Sequence, residues 1–203
     1  YDVLRDLYEG LTASSPDGEV VPAVAVSWRV DEGGRRYTFT LRREARWSNG
    51  DPVLASDFVT AFRRAMDPAT ASGAADLLRA IENAPAILGG EKPVEDLGVR
   101  ALDDYRLEIR LARPVPYFLD ILTNTVASPV HKSSLAAGGG FSKPGTTITN
   151  GPYRLVDQAP GANIRLARNP HYWDSSSVTF DEVRYEFVAD ENAEFTRFRA
   201  GEL

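Results

Sequence analysis

Apolar and polar positions change rhythm several times along the chain, and each change predicts an element. Val3, Leu4, Leu7 and Tyr8 recur at helical spacing, which predicts a short amphipathic helix that Gly10 can stop. Tyr37, Phe39 and Leu41 instead alternate with Thr38 and Thr40, the two-residue period of a strand with one buried face. With Trp28 to Val30 on the other side of the turn cluster Asp31-Glu32-Gly33-Gly34, they form a predicted hairpin. Helical spacing returns with Phe58, Val59, Phe62, Ala65 and Met66, predicting a helix over about 57–66 that Ser56 caps and Pro68 ends, with Asp57 in its first turn. Leu77, Leu78 and Ile81 predict a second helical stretch over 74–80 or beyond.

The second half repeats these rhythms in other surroundings. Leu107, Ile109 and Leu111 alternate with Glu108 and Arg110, so 99–102 and 106–111 read as a strand pair around Asp103-Asp104-Tyr105, with one face wet. Pro114 and Pro116 break the chain before a short apolar helix over 118–122. Strands are expected over 153–156, 163–168 and 182–188, then a helix over 192–200 that carries Phe195 and Phe198. Between the two halves, 136–145 holds three consecutive glycines and Pro144, the composition of a linker where the chain crosses between domains. No period repeats, which excludes solenoid architectures.

Composition narrows the class. The 203 residues are 43% hydrophobic and 26% charged, ordinary globular values that permit a core without staples. The net charge of -6 and the scattering of arginines in singles and pairs exclude a basic stripe, so nucleic acid is not an expected partner. There is no cysteine, which removes disulfides, thiolate nucleophiles and Cys-based metal sites together. No apolar run approaches the roughly 20 residues that span a bilayer. The sequence opens at Tyr1 without a signal-peptide pattern, so any export signal is expected to have been removed or to lie outside it.

Candidate chemistry is sparse. Asp103-Asp104 is what a hairpin turn prefers rather than a catalytic carboxylate pair. His131 and His171 lack the helical spacing of metal ligands and read as surface or structural residues. The serine clusters show no nucleophile elbow, and Gly138-Gly139-Gly140 lacks the Lys and hydroxyl residue of a phosphate loop. Trp28, Trp47 and Trp173 sit beside strand and turn signals, where an indole packs a core with its N–H satisfied. No catalytic residue, metal site or cofactor is nominated, and the chain is not expected to be an enzyme.

Several runs recur together: Leu7-Tyr8-Glu9-Gly10-Leu11; Pro22-Ala23-Val24-Ala25 leading to Trp28; Tyr37 to Arg42; Trp47 to Val53 with Ala55 and Asp57-Phe58-Val59. Then come Arg64, Asp67-Pro68, Ala71-Ser72, Leu97-Gly98-Val99, Ala101 to Asp104, Pro114 to Phe118, Ser128-Pro129-Val130, Asn150-Gly151-Pro152-Tyr153, Arg168-Asn169-Pro170 with Tyr172-Trp173-Asp174, and Arg199 to Leu203. In this order the set resembles the family 5 extracellular solute-binding proteins, most closely the oligopeptide-binding ones.

The resemblance implies a mixed α+β chain of the α/β class, like a type II periplasmic binding protein. By it, 1–8 would start lobe one, 9–131 would form an extra α+β domain, and 132–203 would return to lobe one. The second lobe would lie outside this sequence, making the chain an amino-terminal part of a longer receptor. The implied function is capture of peptides, oligopeptides foremost, for the transmembrane subunits of an ABC permease. The implied location is periplasmic or extracytoplasmic, with membrane contact only through the permease or an anchor outside this chain. The same fold could instead hold a nickel complex, haem or an oligosaccharide; a hydrolase would be the reading from a different class. The candidate ligand-binding residues are Ser72, Gly73, Ala74 and Asn124. Ala74 stands where the resembled proteins place a Tyr that reaches the ligand, and Asn124 where they carry a His near a side-chain pocket. The groups that grip peptide termini are expected mainly outside this chain.

Overall fold

The structure is a computed structural model that describes residues 2–136, 143–188 and 190–201. Helix α1 (Asp2–Leu7) is followed by a small antiparallel pair, β1 (Thr12–Ser14) and β2 (Val20–Pro22). Four strands then form an antiparallel sheet: β3 (Ala25–Asp31), β4 (Arg36–Leu41), β5 (Val99–Asp103) and β6 (Arg106–Arg110), in the order β3-β4-β6-β5. Both predicted hairpins are therefore present. In the first, Glu32, Gly33 and Gly34 all take positive φ, a conformation that glycine adopts without steric cost and that explains the Gly-Gly pair.

Helix α2 (Ala55–Met66) packs across β5 and β6. Its stripe of Phe58, Phe62 and Met66 is fully buried among Phe39, Leu107 and Ile109 in the larger hydrophobic cluster. Each such side chain contributes about 1.5–3 kcal/mol by leaving water. The helix begins two residues earlier than expected, and Ser56 is not its cap. Leu54 precedes it without a side-chain cap, and the Leu54 N–H donates to Asp57 Oδ2 at 2.9 Å, so the third helical residue secures the entry. The expected helix over 74–80 is a single tight turn, Ala75–Leu78, followed by α3 (Ala84–Leu88). Leu78 and Ile81 are buried as the pattern required, but Leu77 faces outward.

The expected wet face of the β5–β6 pair is not wet at Glu108. That residue is buried, and its carboxylate accepts from Arg100 Nε at 2.8 Å and Arg110 Nε at 3.0 Å. Strand alternation places a polar residue there without showing that two arginines will fold over it. Burial acts to raise the Glu108 pKa, yet the two guanidiniums bring it below its ordinary value.

Helices α4 (Phe118–Ile121) and α5 (Lys132–Ala136) lead to a second, three-stranded antiparallel sheet, β7 (Tyr153–Ala159), β8 (Asn163–Arg168) and β9 (Glu182–Glu186). The glycine run Gly138-Gly139-Gly140, read as the linker, lies outside the described residues. The second sheet packs on α1 rather than on the first sheet, and Leu7, Tyr153, Leu155 and Leu166 form a smaller buried cluster. Tyr185 Oη donates to Asp6 Oδ2 at 2.7 Å on the same helix. Gly151 lets the chain pass the end of α1, because a Cβ there would stand 2.7 Å from the Leu7 carbonyl carbon. Helix α6 (Glu191–Arg199) follows, capped by the Asp190 carboxylate on the Ala193 N–H at 2.9 Å. Its Phe195 and Phe198 are exposed.

Candidate ligand groove between the two clusters

The two clusters meet around Glu9, which follows α1. Both of its carboxylate oxygens are occupied: Tyr172 Oη donates to Oε1 at 2.6 Å and Trp173 Nε1 to Oε2 at 2.7 Å. The Glu9 backbone is clamped as well, since Asn150 Oδ1 accepts its N–H and Asn150 Nδ2 donates to its carbonyl. Arg42 stacks on Trp173 with its guanidinium carbon 3.6 Å from the ring centre, while its Nε donates to the Ala23 carbonyl at 2.6 Å. Burial pushes the Glu9 carboxyl above its ordinary pKa, opposed by the hydrogen bonds from Tyr172 and Trp173 and by the charge of Arg42, with Asp174 adding to the rise. Burial and the charge of Glu9 push the Tyr172 phenol up as well.

A second polar chain supports the turn before α2. Trp47 is fully buried, and its Nε1 donates to Asp57 Oδ2 at 3.0 Å. His131 lies edge-on to Trp47 with ring centres 5.3 Å apart, and its Nε2 is 3.0 Å from Asp51 Oδ2. His131 is thus a buried structural residue, and Asp103 accepts from the Tyr105 N–H and from Arg106 within its turn. Among the described residues no group of three or more His, Asp or Glu is placed to hold a metal ion.

Beside the Glu9 junction three adjoining hollows share wall residues and are taken together as the segments of one groove. The segment nearest α2, about 330 Å³, is lined in part by Leu4, Arg64, Ser72, Gly73, Ala74 and Asn124. All four residues nominated from the sequence therefore border one space, although Asn124 is some fifty residues from the others. Asn124 Oδ1 also accepts from the Val126 N–H, which holds the loop at the groove wall. The middle segment, about 260 Å³, is lined by Leu4, Tyr8, Arg64, Thr125, Ser128, Pro129 and Val130. The third, about 230 Å³, continues past Tyr8, Thr125 and Ser128 to Glu9, Thr12, Thr123 and Tyr172. Leu4, Tyr8, Thr125, Ser128 and Val130 were missed as groove residues. Tyr8 and Ser128-Pro129-Val130 stood in motifs already singled out, but the sequence does not show that α1 and the loop after α4 face each other. A larger open hollow of about 630 Å³, around Leu77, Arg79, Arg113 and Tyr117, shares no residue with this groove.

A family model described as "Bacterial extracellular solute-binding proteins, family 5 Middle" matches residues 19–203. The chain belongs to the family 5 bacterial extracellular solute-binding proteins. Among family relatives, the periplasmic oligopeptide-binding protein OppA of Escherichia coli strain K12 is 42% identical over 205 residues, covering 100% of this chain and 38% of that protein. The solved murein tripeptide-binding protein MppA of Escherichia coli matches with a TM-score of 0.95 at 38% identity, over 99% of this chain and 40% of that one. Haemophilus influenzae OppA in complex with the peptide RPPGFSPFR matches with a TM-score of 0.95 at 35% identity, over 100% of this chain and 40% of that one. The chain thus spans about two-fifths of the length of the family relatives it matches. The mixed α/β fold expected from the sequence is the fold of these binding proteins, and the family is one of solute-binding proteins rather than enzymes. Among the described residues no helix is long and apolar enough to cross a membrane.

Proposed function

We propose that the chain is the amino-terminal part of a peptide receptor that serves an ABC importer, and that its groove forms one wall of the peptide site. The observation that carries this reading is the groove itself. Its segments share wall residues, and it is bordered by apolar Leu4, Val126 and Val130 and by polar Ser72, Asn124, Thr125 and Ser128, the mixture that lets a site hold main-chain polar groups and varied side chains together. Relatives named for oligopeptide binding, one of them with a bound peptide, support peptides as the ligand class. In this reading Ser72, Gly73, Ala74 and Asn124 contact the ligand, and the small side chains of the first three leave room for a large ligand side chain. The site binds and releases without chemistry, the receptor works in the periplasm, and the transmembrane subunits of a permease receive the cargo.

We assign 9–131 to an extra α+β domain, and 1–8 with 132–203 to lobe one. The separation of the two hydrophobic clusters supports this division, because α1 packs with the second sheet across a long stretch of sequence. Mass spectrometry of the native full-length protein purified without refolding tests the function. Peptides released on denaturation are the expected result; a nickel complex, haem, an oligosaccharide or no small molecule at all would contradict it.

A further inference from the structure

The middle and third segments of the groove meet at Tyr8, Thr125 and Ser128, the residues they have in common. Three hydroxyl-bearing side chains therefore surround one junction. The Tyr8 hydroxyl differs from the other tyrosine hydroxyls at this end of the molecule. Those of Tyr172, Tyr185 and Tyr153 each donate to a protein oxygen, whereas the Tyr8 oxygen is less than 1 Å² exposed and has no hydrogen-bond partner among the described residues. Its withdrawal from water raises the phenol pKa to about 12, so at neutral pH the group is an intact O–H that can donate and accept.

A buried polar group without a partner is costly, and folded proteins keep few of them. A phenylalanine would pack the same ring against Leu7 and the second sheet without that cost, so the core does not account for the oxygen. Tyr8 lines both groove segments, and its covered hydroxyl lies just beneath the wall between them. The surrounding protein already covers the oxygen, so a ligand acceptor reaching it would gain a hydrogen bond at little further desolvation cost to the donor. A ligand lying across both segments must press on the junction, and parting the contacts that cover the oxygen would let the bond form.

Resting on the reading of the groove as a peptide site, we propose that the Tyr8 hydroxyl is a concealed anchor that donates to a main-chain carbonyl of a peptide lying across the junction. Since it reads the peptide backbone, its contribution does not depend on the ligand's side chains. This suits a receptor of broad range.

The test uses the native full-length protein and its Tyr8→Phe variant, which keeps the ring. Each is incubated with a mixed library of tri- to pentapeptides and examined by native mass spectrometry. The peptides best retained by the wild type are then titrated by calorimetry into both proteins, and thermal melts are recorded without ligand. The expected result is a loss of affinity of about tenfold, similar for peptides of different side chains, with an unliganded melting temperature that is unchanged or higher. Equal affinity in the two proteins would overturn the anchor while leaving the peptide site standing. Equal affinity with a lower melting temperature would overturn it too, and would assign the hydroxyl to a buried structural water. A wild-type protein that retains no peptide would overturn the peptide reading and the anchor with it.

Discussion

Glu9 concentrates the physics of the molecule in one residue. A carboxylate this deep is tolerated because two donors, the Tyr172 hydroxyl and the Trp173 indole, meet its two oxygens, yet burial still leaves its pKa above the ordinary value. The folded state therefore holds the proton more tightly than the unfolded state. Stability linked to Glu9 is fully present below the unfolded pKa, near 4.3, and declines as pH rises from there through the raised folded value. Glu9→Gln cannot titrate, so the wild type should gain stability relative to the variant as pH falls from 7 toward 4.5, measured as the difference between their melting temperatures. A difference that stays constant with pH would contradict the account. Sequence reading placed Glu9, Tyr172 and Trp173 in family motifs and expected the Trp173 N–H to be satisfied. It could not pair them, because the partners are more than 160 positions apart and carboxylate–phenol contacts leave no local pattern.

Elements were legible where their periodicity and punctuation were local, and misread where distant packing intervened. The two hairpins followed from alternation and turn residues, and α2 from its apolar stripe. The start of α2 was misread because Ser56 looks like a cap, whereas the helix entry is held by Asp57, which also receives the Trp47 indole. Glu108 was misread because two arginines cover it. The Trp47–Asp57 contact ties the Asn49-Gly50 turn to the first turn of α2, and it ranks two substitutions. Trp47→Ala removes a fully buried large side chain and should cost about 3–5 kcal/mol. Asp57→Ala orphans the indole N–H and the Leu54 N–H and should cost about 1–3 kcal/mol. Denaturant titrations of both variants check the order; equal stability of Trp47→Ala and the wild type would show that this contact does not support the element.

At the scale of the whole molecule, family and fold were readable from ordered motifs, but the groove was readable only in part. Ser72, Gly73, Ala74 and Asn124 were nominated from one side of it. The opposing wall, Leu4 and Tyr8 on and after α1, leaves no local signal, because it depends on α1 reaching from the second sheet toward the loop around Thr125 and Ser128. A groove open on one side leaves a peptide's polar groups in water, where each protein hydrogen bond replaces one to solvent and adds little. Two walls that close on the ligand favour the closed state through contacts made only there. Calorimetric titration of one peptide into the native full-length protein and into residues 1–203 alone tests this most directly. The account predicts that the isolated chain binds more than tenfold more weakly; affinities within about tenfold, or about 1.4 kcal/mol, would contradict the claim that this chain supplies one wall of a two-walled site.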